Sequence, residues 1–174
     1  IILQIKYNNQ QTIGKDLQMK NKSITFFYLT HEFYNKYKNC KEILYKPKRP
    51  YAVHLIEYNN LIFAIPIRSN ITHEFSYKTI KEKNKSKGLD FTKTVIINDL
   101  KYLSKQPVRI NQEEYLKLDK NRHFIEKKML SYLKIYKKAL QKPNTNKNKN
   151  ILSKSTLQYF HKELSILFNE DNID

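Results

Sequence analysis

The stretch "YAVHLIEYNNLIFAIPI" (residues 51–67) contains two apolar segments that are joined by Asn59 and Asn60. Each segment has the length and the β-branched and aromatic content of an ordinary strand. Asn tolerates the positive φ angles that a two-residue hairpin turn requires. The sequence therefore predicts an antiparallel β-hairpin here. Pro66 lacks an N–H, so we expect it at a strand edge or at a bulge.

Segments on both sides of this hairpin predict further strands and helices. Four of them have the composition of strands: 23–29, 75–80, 92–98 and 106–110. Thr30 is placed to cap a short helix that extends to Tyr37. Asn111 and Glu114 form a capping box before a long stripe of apolar residues at helical spacing, which weakens at 119–123.

The last third of the chain predicts a second amphipathic helix after a polar connection. Residues 142–150, "KPNTNKNKN", have the composition of a flexible connection. Residues 155–168 then show helical periodicity, with Ser155 as the expected cap. The predicted fold class is α+β, with a curved antiparallel sheet early in the chain and long helices late.

The length of 174 residues fits one domain. Residues 1–22 are polar and lack sustained periodicity, so we expect a disordered or non-native N-terminal extension, with Met19 as the natural start. The single domain is expected to span residues 23–168, and residues 169–174 are expected to form a tail.

The composition indicates a polyanionic partner. The chain has 33 Lys and Arg residues against 16 acidic ones, which gives a formal net charge of +17. Such a charge attracts nucleic acid strongly, and the 13 Tyr and nine Phe residues suit stacking on unpaired bases. The alternative is a basic surface with no nucleic-acid role, since Tyr and Phe are also ordinary core residues.

Several classes of protein are disfavoured by the same composition. Cys40 is the only cysteine, so a disulfide framework or a thiolate metal site is excluded. With only Gly14 and Gly88, the chain has no glycine-rich phosphate loop. The five His residues show no pair at metal-ligand spacing. No apolar run approaches the roughly 20 residues of a transmembrane helix, and no signal peptide is evident, so a cytoplasmic location is expected.

The second strand of the hairpin ends in chemically active residues, Arg68, Ser69, Asn70 and then His73. A serine hydrolase is disfavoured because the G-x-S-x-G context is absent. A cation, a hydroxyl and an imidazole do suit the cleavage of RNA by its own 2′-hydroxyl, which needs only proton transfer and charge stabilisation at phosphorus. In the simpler interpretation Arg68 contacts a phosphate and Ser69 ends the strand, and the spacing alone favours that interpretation.

Four motifs in order carry a resemblance to a known family: "FYLTHEFY" (27–34), "KRPY" (48–51), "FAIPIRSN" (63–70) and "GLDFTK" (88–93). Together they resemble the ToxN/AbiQ family of type III toxin–antitoxin endoribonucleases, and they are most similar to its CptN/TenpN branch. The resemblance extends from about Phe27 through the long helix. It implies a strongly bent antiparallel sheet with packed helices, like that of the MazF/Kid-like toxins.

The resemblance also implies a function. It implies a sequence-selective ribonuclease that cleaves single-stranded mRNA without a metal or other cofactor and leaves 2′,3′-cyclic phosphate ends. The same enzyme is expected to cut its antitoxin, a repeated pseudoknot RNA, from a longer precursor. That RNA is expected to inhibit the toxin in a closed ring-like assembly, and its loss to arrest growth, often as phage defence.

The family's functional residues can be transferred position by position. Ser69 matches the catalytic Ser, Arg49 falls at a Lys or Arg of the active-site groove, and Tyr45 matches a functional Tyr. Two positions depart from ToxN itself: Arg68 replaces a Thr and Ile71 replaces a Lys. In the CptN-like branch an Arg at position 68 is expected.

We therefore expect Ser69 to position or activate the 2′-hydroxyl and Arg68 and Arg49 to stabilise the phosphorane. Tyr45 or His73 is expected to support proton transfer. Asp90 is expected to be a turn or cap residue, with the alternative that it orients a catalytic group. The residues expected to bind RNA are Asn70, Lys93, Tyr51, Lys48 and the lysines of the 81–88 loop, namely Lys81, Lys83, Lys85 and Lys87.

The main alternative is a non-catalytic RNA-binding protein with the same basic surface and stacking aromatic residues. A DNA-binding regulator is less favoured, because the sequence shows no helix-turn-helix pattern.

Overall fold

The computed structural model describes residues 2–5, 24–46, 50–81 and 86–169. These residues form an α+β fold with eight strands and five α-helices. The strands are β1 (Ile2–Ile5), β2 (Phe26–Tyr28), β3 (Ala52–Tyr58), β4 (Leu61–Arg68), β5 (Ser76–Lys81), β6 (Ser86–Asp90), β7 (Val95–Ile97) and β8 (Val108–Asn111). The helices are α1 (His31–Lys36), α2 (Gln112–Lys120), α3 (Arg122–Gln141), α4 (Asn146–Lys154) and α5 (His161–Asn169).

The predicted hairpin is formed by β3 and β4. Tyr58 lies opposite Leu61, so the loop contains two residues only. These are Asn59 and Asn60, which have φ angles of 45° and 60°. Both values are in the left-handed region that a type I′ turn requires, so the local sequence fixes the turn and with it the register of the hairpin.

The strand β4 is the centre of a six-stranded antiparallel sheet with the order β2-β3-β4-β6-β5, in which β7 also pairs with β4. One side of β4 pairs with β3 from Leu61 to Pro66. The other side pairs with β7 at residues 62–64 and with β6 at Ile67 and Arg68. Pro66 lies between these two stretches. It is therefore not at an edge of the sheet, and its missing N–H is tolerated where β4 changes partner.

The N-terminal segment contributes one short strand. β1 pairs antiparallel with β8, with Ile2 opposite Asn111. This strand lies within the 1–22 segment that we expected to be an extension. The remaining residues of that segment lie outside the described part of the chain, as do residues 170–174 of the expected tail.

The long apolar stripe of the sequence is divided between two helices. α2 ends at Lys120 and α3 begins at Arg122, so the break at Asn121 falls in the weak patch of the pattern. Asn111 caps α2 as predicted, since its side chain accepts a hydrogen bond from the N–H of Glu114 at 3.2 Å. Local sequence signals thus gave the start of this helical region correctly.

The prediction of a flexible connection at 142–150 is wrong in its second half. α4 begins at Asn146, and Thr145 caps it by accepting a hydrogen bond from the N–H of Asn148 at 3.2 Å. The many Asn and Lys residues of this segment are typical of a loop, but the Thr145 cap and the burial of Ile151 stabilise a helix there. The segment after α4 also differs from the prediction, since Ser155 caps a short 3-10 turn (Thr156–Tyr159) before α5 begins.

The core lies between the sheet and the C-terminal helices. α3 contributes Met129, Tyr132 and Tyr136, which are fully or almost fully buried at helical spacing. The ring of Tyr132 lies 5.3 Å from that of Phe75, and its hydroxyl donates to Ser155 Oγ at 2.8 Å. Part of the high aromatic content therefore serves packing and not recognition.

None of the helices in the described ranges combines the length and the apolar character that crossing a bilayer requires.

The core also contains a buried histidine on β3. His54 is 4% exposed, and its Nδ1 lies 3.2 Å from the carbonyl oxygen of Thr25. Burial lowers the pKa of His54 to about 4, although the hydrogen bond to Thr25 acts in the opposite direction. The fold therefore holds His54 in the neutral form.

We expect the stability of the protein to fall as the pH drops from about 6.5 to about 4 because of His54. Above this window the imidazole is neutral in both states. Within it only the unfolded chain takes up the proton, so the free energy of unfolding decreases by about 3 kcal/mol in total. Urea unfolding at several pH values, compared with a His54→Asn variant that keeps a donor for Thr25, measures this effect. An equal pH dependence in the two proteins would contradict the assignment.

Candidate active site

A glycine of β6 lies where the end of β4 pairs with that strand. Arg68 lies opposite Gly88 in the register. A Cβ atom at Gly88 would lie 2.0 Å from the carbonyl oxygen of Tyr77, so only glycine allows β5 and β6 to approach in this way. Since alternate residues of a strand share a face, Asp90 comes to the same side of the sheet as Arg68.

Asp90 is the centre of a cluster of polar side chains. It has no exposed surface, and Arg68 Nη1 donates to its Oδ2. His73 Nε2 lies 3.3 Å from its Oδ1. The N–H and the hydroxyl of Thr92 donate to the same Oδ1 at 2.9 and 2.6 Å. We call Asp90, Arg68, His73 and Thr92 the Asp90 cluster.

These contacts decide the charge of Asp90. Burial acts to raise the pKa of this carboxyl, but the hydrogen bonds from His73 and Thr92 and the charges of His73 and Arg68 outweigh it and lower the pKa below its ordinary value. Asp90 is therefore an ionised carboxylate at neutral pH. It also caps the 3-10 turn Phe91–Lys93. Both roles considered for Asp90 from the sequence, cap and orienting group, are thus compatible with its contacts.

Two nitrogen atoms of the cluster have no hydrogen-bond partner in the described part of the chain. They are Arg68 Nε and His73 Nδ1, and both are buried. Asp90 receives the N–H on Nε2 of His73, so in the neutral ring Nδ1 carries the lone pair. The imidazole thus retains one nitrogen that is able to accept a proton.

Ser69 directly follows the cluster in sequence and is exposed. Its hydroxyl makes no hydrogen bond to other residues that the structure describes. Asn70 has a φ angle of 63°, a left-handed conformation that Asn adopts readily. The buried Ile71 then donates its N–H to the carbonyl of Ser86 at 2.9 Å. The hydrogen bond of Ile71 anchors this turn. Ser69 is left exposed to solvent, and the chain reverses direction so that His73 contacts Asp90.

Tyr51 lines a small cleft, and Tyr45 contacts another of its lining residues, Tyr34. Tyr45 is exposed, and its ring lies 4.4 Å from that of Tyr34. Tyr34 and Tyr51 line the cleft together with Pro66 and Lys93. Burial, and to a smaller extent the neighbouring Tyr45 and Tyr51, raises the pKa of Tyr34 to about 12. The expected functional Tyr45 is thus the accessible member of an aromatic group.

Two of the lysines expected to contact RNA are engaged within the protein. Lys93 Nζ donates to Glu42 and, at 2.8 Å, to the carbonyl of Lys154, and its side chain is only 12% exposed. Lys87 Nζ pairs with the buried Glu114. For either lysine to bind phosphate, an internal carboxylate would have to be displaced.

Of the remaining predicted site lysines and arginines, only Lys81 lies in the described part of the chain. Lys81 is exposed at the end of β5. Arg49, Lys48, Lys83 and Lys85 lie outside the described residues, so their expected roles stay predictions. The predicted 81–88 loop is shorter than expected, because Ser86 to Gly88 already belong to β6.

Within the described ranges, no three or more His, Cys, Asp and Glu side chains come together as a metal site would require. In comparisons with known proteins, no protein-family model, no curated protein and no solved structure matches the chain.

We expect Asp90→Asn to destabilise the protein strongly. The amide keeps the cap to Thr92 but leaves the largely buried Arg68 guanidinium without its counter-charge, a loss on the order of 3 kcal/mol. Asp99→Asn is the matched control, because Asp99 caps a similar 3-10 turn and pairs with Lys101 while both side chains are exposed. Denaturant unfolding at neutral pH measures the two effects. Equally small losses would show that the buried charge of Asp90 does not stabilise the cluster.

Proposed function

We propose that this protein is an endoribonuclease that cleaves RNA through the 2′-hydroxyl of the substrate and needs no metal ion. The observation that supports this most directly is the convergence of Arg68 and His73 on the buried Asp90, at the end of the strand that the exposed Ser69 directly follows. The net charge of +17 favours a nucleic-acid substrate. RNA is the nucleic acid that carries its own nucleophile at the required position.

In the proposed reaction the 2′-oxygen forms a bond to the adjacent phosphorus, and the bond from phosphorus to the 5′-oxygen breaks. The proton of the 2′-hydroxyl passes through the hydroxyl of Ser69 to His73 Nδ1. A proton from an acid, for which Tyr45 is our candidate, neutralises the leaving 5′-oxygen. The products are a 2′,3′-cyclic phosphate and a 5′-hydroxyl, and no oxidant or reductant is involved.

The electrostatics of the Asp90 cluster suit this reaction. With a neutral imidazole, the charges of Arg68 and Asp90 cancel. When His73 accepts the proton, the imidazolium is stabilised by the carboxylate, and the cluster gains one positive charge as negative charge develops on the phosphorane oxygens. The partly buried Arg68 guanidinium is then held in position to interact with those oxygens.

The family-level proposal is wider and rests on the motifs at 27–34, 48–51, 63–70 and 88–93. On this resemblance the protein is a type III toxin of the ToxN/AbiQ family with a ToxN-like bent sheet. It would cut mRNA and the precursor of its antitoxin, be inhibited by that repeated RNA in a ring-like assembly, and act in phage defence. An α+β fold with an open six-stranded antiparallel sheet and packed helices is compatible with this proposal.

We expect purified protein to cut single-stranded RNA at discrete positions in EDTA, and Ser69→Ala to slow this cleavage by about a hundredfold or more. The matched control is Ser131→Ala, since Ser131 is an exposed serine on α3 whose hydroxyl bonds only within its own helix. Initial cleavage rates of a labelled RNA provide the comparison.

Two outcomes would count against the nuclease. Equal rates for Ser69→Ala and Ser131→Ala would remove Ser69 from the reaction. Tight binding of RNA by a folded, antitoxin-free protein that never cuts it would favour the alternative, a non-catalytic RNA-binding protein.

A further inference from the structure

A second groove that contains aromatic and basic residues lies between β5 and the start of α3. Its volume of about 310 Å³ is at the lower end of the range of ligand pockets, roughly 300–1,000 Å³. Tyr77 and Lys78 line it from β5, and Phe124 and Lys128 line it from α3. We propose that this groove binds an unpaired segment of the RNA substrate, with a base stacked on Phe124. This inference rests on the proposed function and extends it.

The exposed ring of Phe124 favours an unpaired nucleic-acid base as the occupant of the groove. Phe124 is 53% exposed, and among the described Phe and Tyr residues only Tyr45 has a comparable exposure. The ring is supported from two sides. The ring of Tyr77 lies at 6.2 Å in an edge-on arrangement, and Lys128 Nζ lies 5.5 Å from the centroid. An aromatic ring that is fixed in this way, and is flanked by a cation, is the arrangement on which unpaired bases stack.

The charges of the groove fit a phosphate backbone. Lys78, Lys81 and Lys128 line it, against one acidic residue, Glu74. In contrast to Lys87 and Lys93, these three lysines have no ion-pair partner among the described residues. Their charge is therefore available to an external anion, which the same groove would hold beside the stacking ring.

The groove is connected to the Asp90 cluster through β5. Ser76, which also lines the groove, lies opposite Asp90 in the register, and its hydroxyl donates to the carbonyl of His73 at 3.3 Å. A strand of RNA that passes the cluster and crosses β5 reaches the groove. The occupant is therefore the part of the substrate that flanks the cleaved bond.

The test measures binding and not cleavage, in a full-length Ser69→Ala background, by fluorescence anisotropy with a labelled single-stranded RNA. Phe124→Ala is compared with Ile166→Ala, which removes an equally exposed apolar side chain from α5. We expect Phe124→Ala to raise the Kd about tenfold for single-stranded RNA, and Ile166→Ala to leave it unchanged. The same RNA in a duplex has no unpaired base to stack, so its Kd should be insensitive to Phe124→Ala.

The charge of the groove is tested by Lys128→Gln against Lys127→Gln, its exposed neighbour on α3 that does not line the groove. The slope of log K against log salt should fall by about 0.7 for Lys128→Gln, the value for one phosphate contact on a single strand, and should not change for Lys127→Gln.

The outcomes separate this inference from the proposed function. If the wild-type protein cleaves RNA in EDTA but the groove variants bind like their controls, the groove proposal is wrong and the nuclease proposal stands. If nothing is cleaved but Phe124→Ala and Lys128→Gln weaken binding as expected, the groove stands and the nuclease does not. A Phe124→Ala effect that is equal on duplex and single strand, or a protein that binds no single-stranded RNA, overturns the groove proposal.

Discussion

An ionised carboxylate without exposed surface requires several hydrogen-bond donors that compensate for its lost hydration. Asp90 is such a carboxylate, and the fold has to supply its donors. Its donors come from three places: Arg68 at the end of β4, His73 in the following loop and Thr92 in the turn after β6. The pairing of β4 with β6 and the left-handed turn at Asn70 bring them together, and Gly88 allows β5 to approach β6 next to them. The architecture of the sheet and the geometry of the candidate site therefore depend on each other.

The need of internal carboxylates for a compensating cation divides the cations of the protein into two groups. Some cations neutralise internal carboxylates, as Lys93 does for Glu42 and Lys87 for Glu114. Others, such as those of the β5–α3 groove, have no internal partner among the described residues. The net charge of +17 favours a polyanionic partner, and the contacts show which of the described cations are free of internal ion pairs. In our account the Asp90 cluster performs the chemistry, and the groove binds the adjoining nucleotides.

Local features were predictable from the sequence, and long-range ones were not. The hairpin and the caps at Thr30 and Asn111 follow from residues next to one another, and the structure confirms them. The contact of Arg68 with Asp90 joins residues 22 positions apart and depends on strand register, which the sequence did not reveal. The partnership of Lys93 with Glu42 spans 51 positions and was missed for the same reason. α4 was missed because its Asn and Lys content is that of a loop.

The central claim is that the 2′-hydroxyl of RNA is the nucleophile and that the Asp90 cluster assists its attack. The most direct measurement uses a mapped cleavage site in a short single-stranded RNA and a matched oligonucleotide with one 2′-deoxy residue immediately 5′ to the scissile phosphate, both in EDTA. The account predicts that the all-RNA strand yields a 2′,3′-cyclic phosphate and a 5′-hydroxyl, and that the substituted strand is bound but not cut there. Cleavage of the substituted strand at the same bond, or products with 3′-hydroxyl and 5′-phosphate ends, would contradict it.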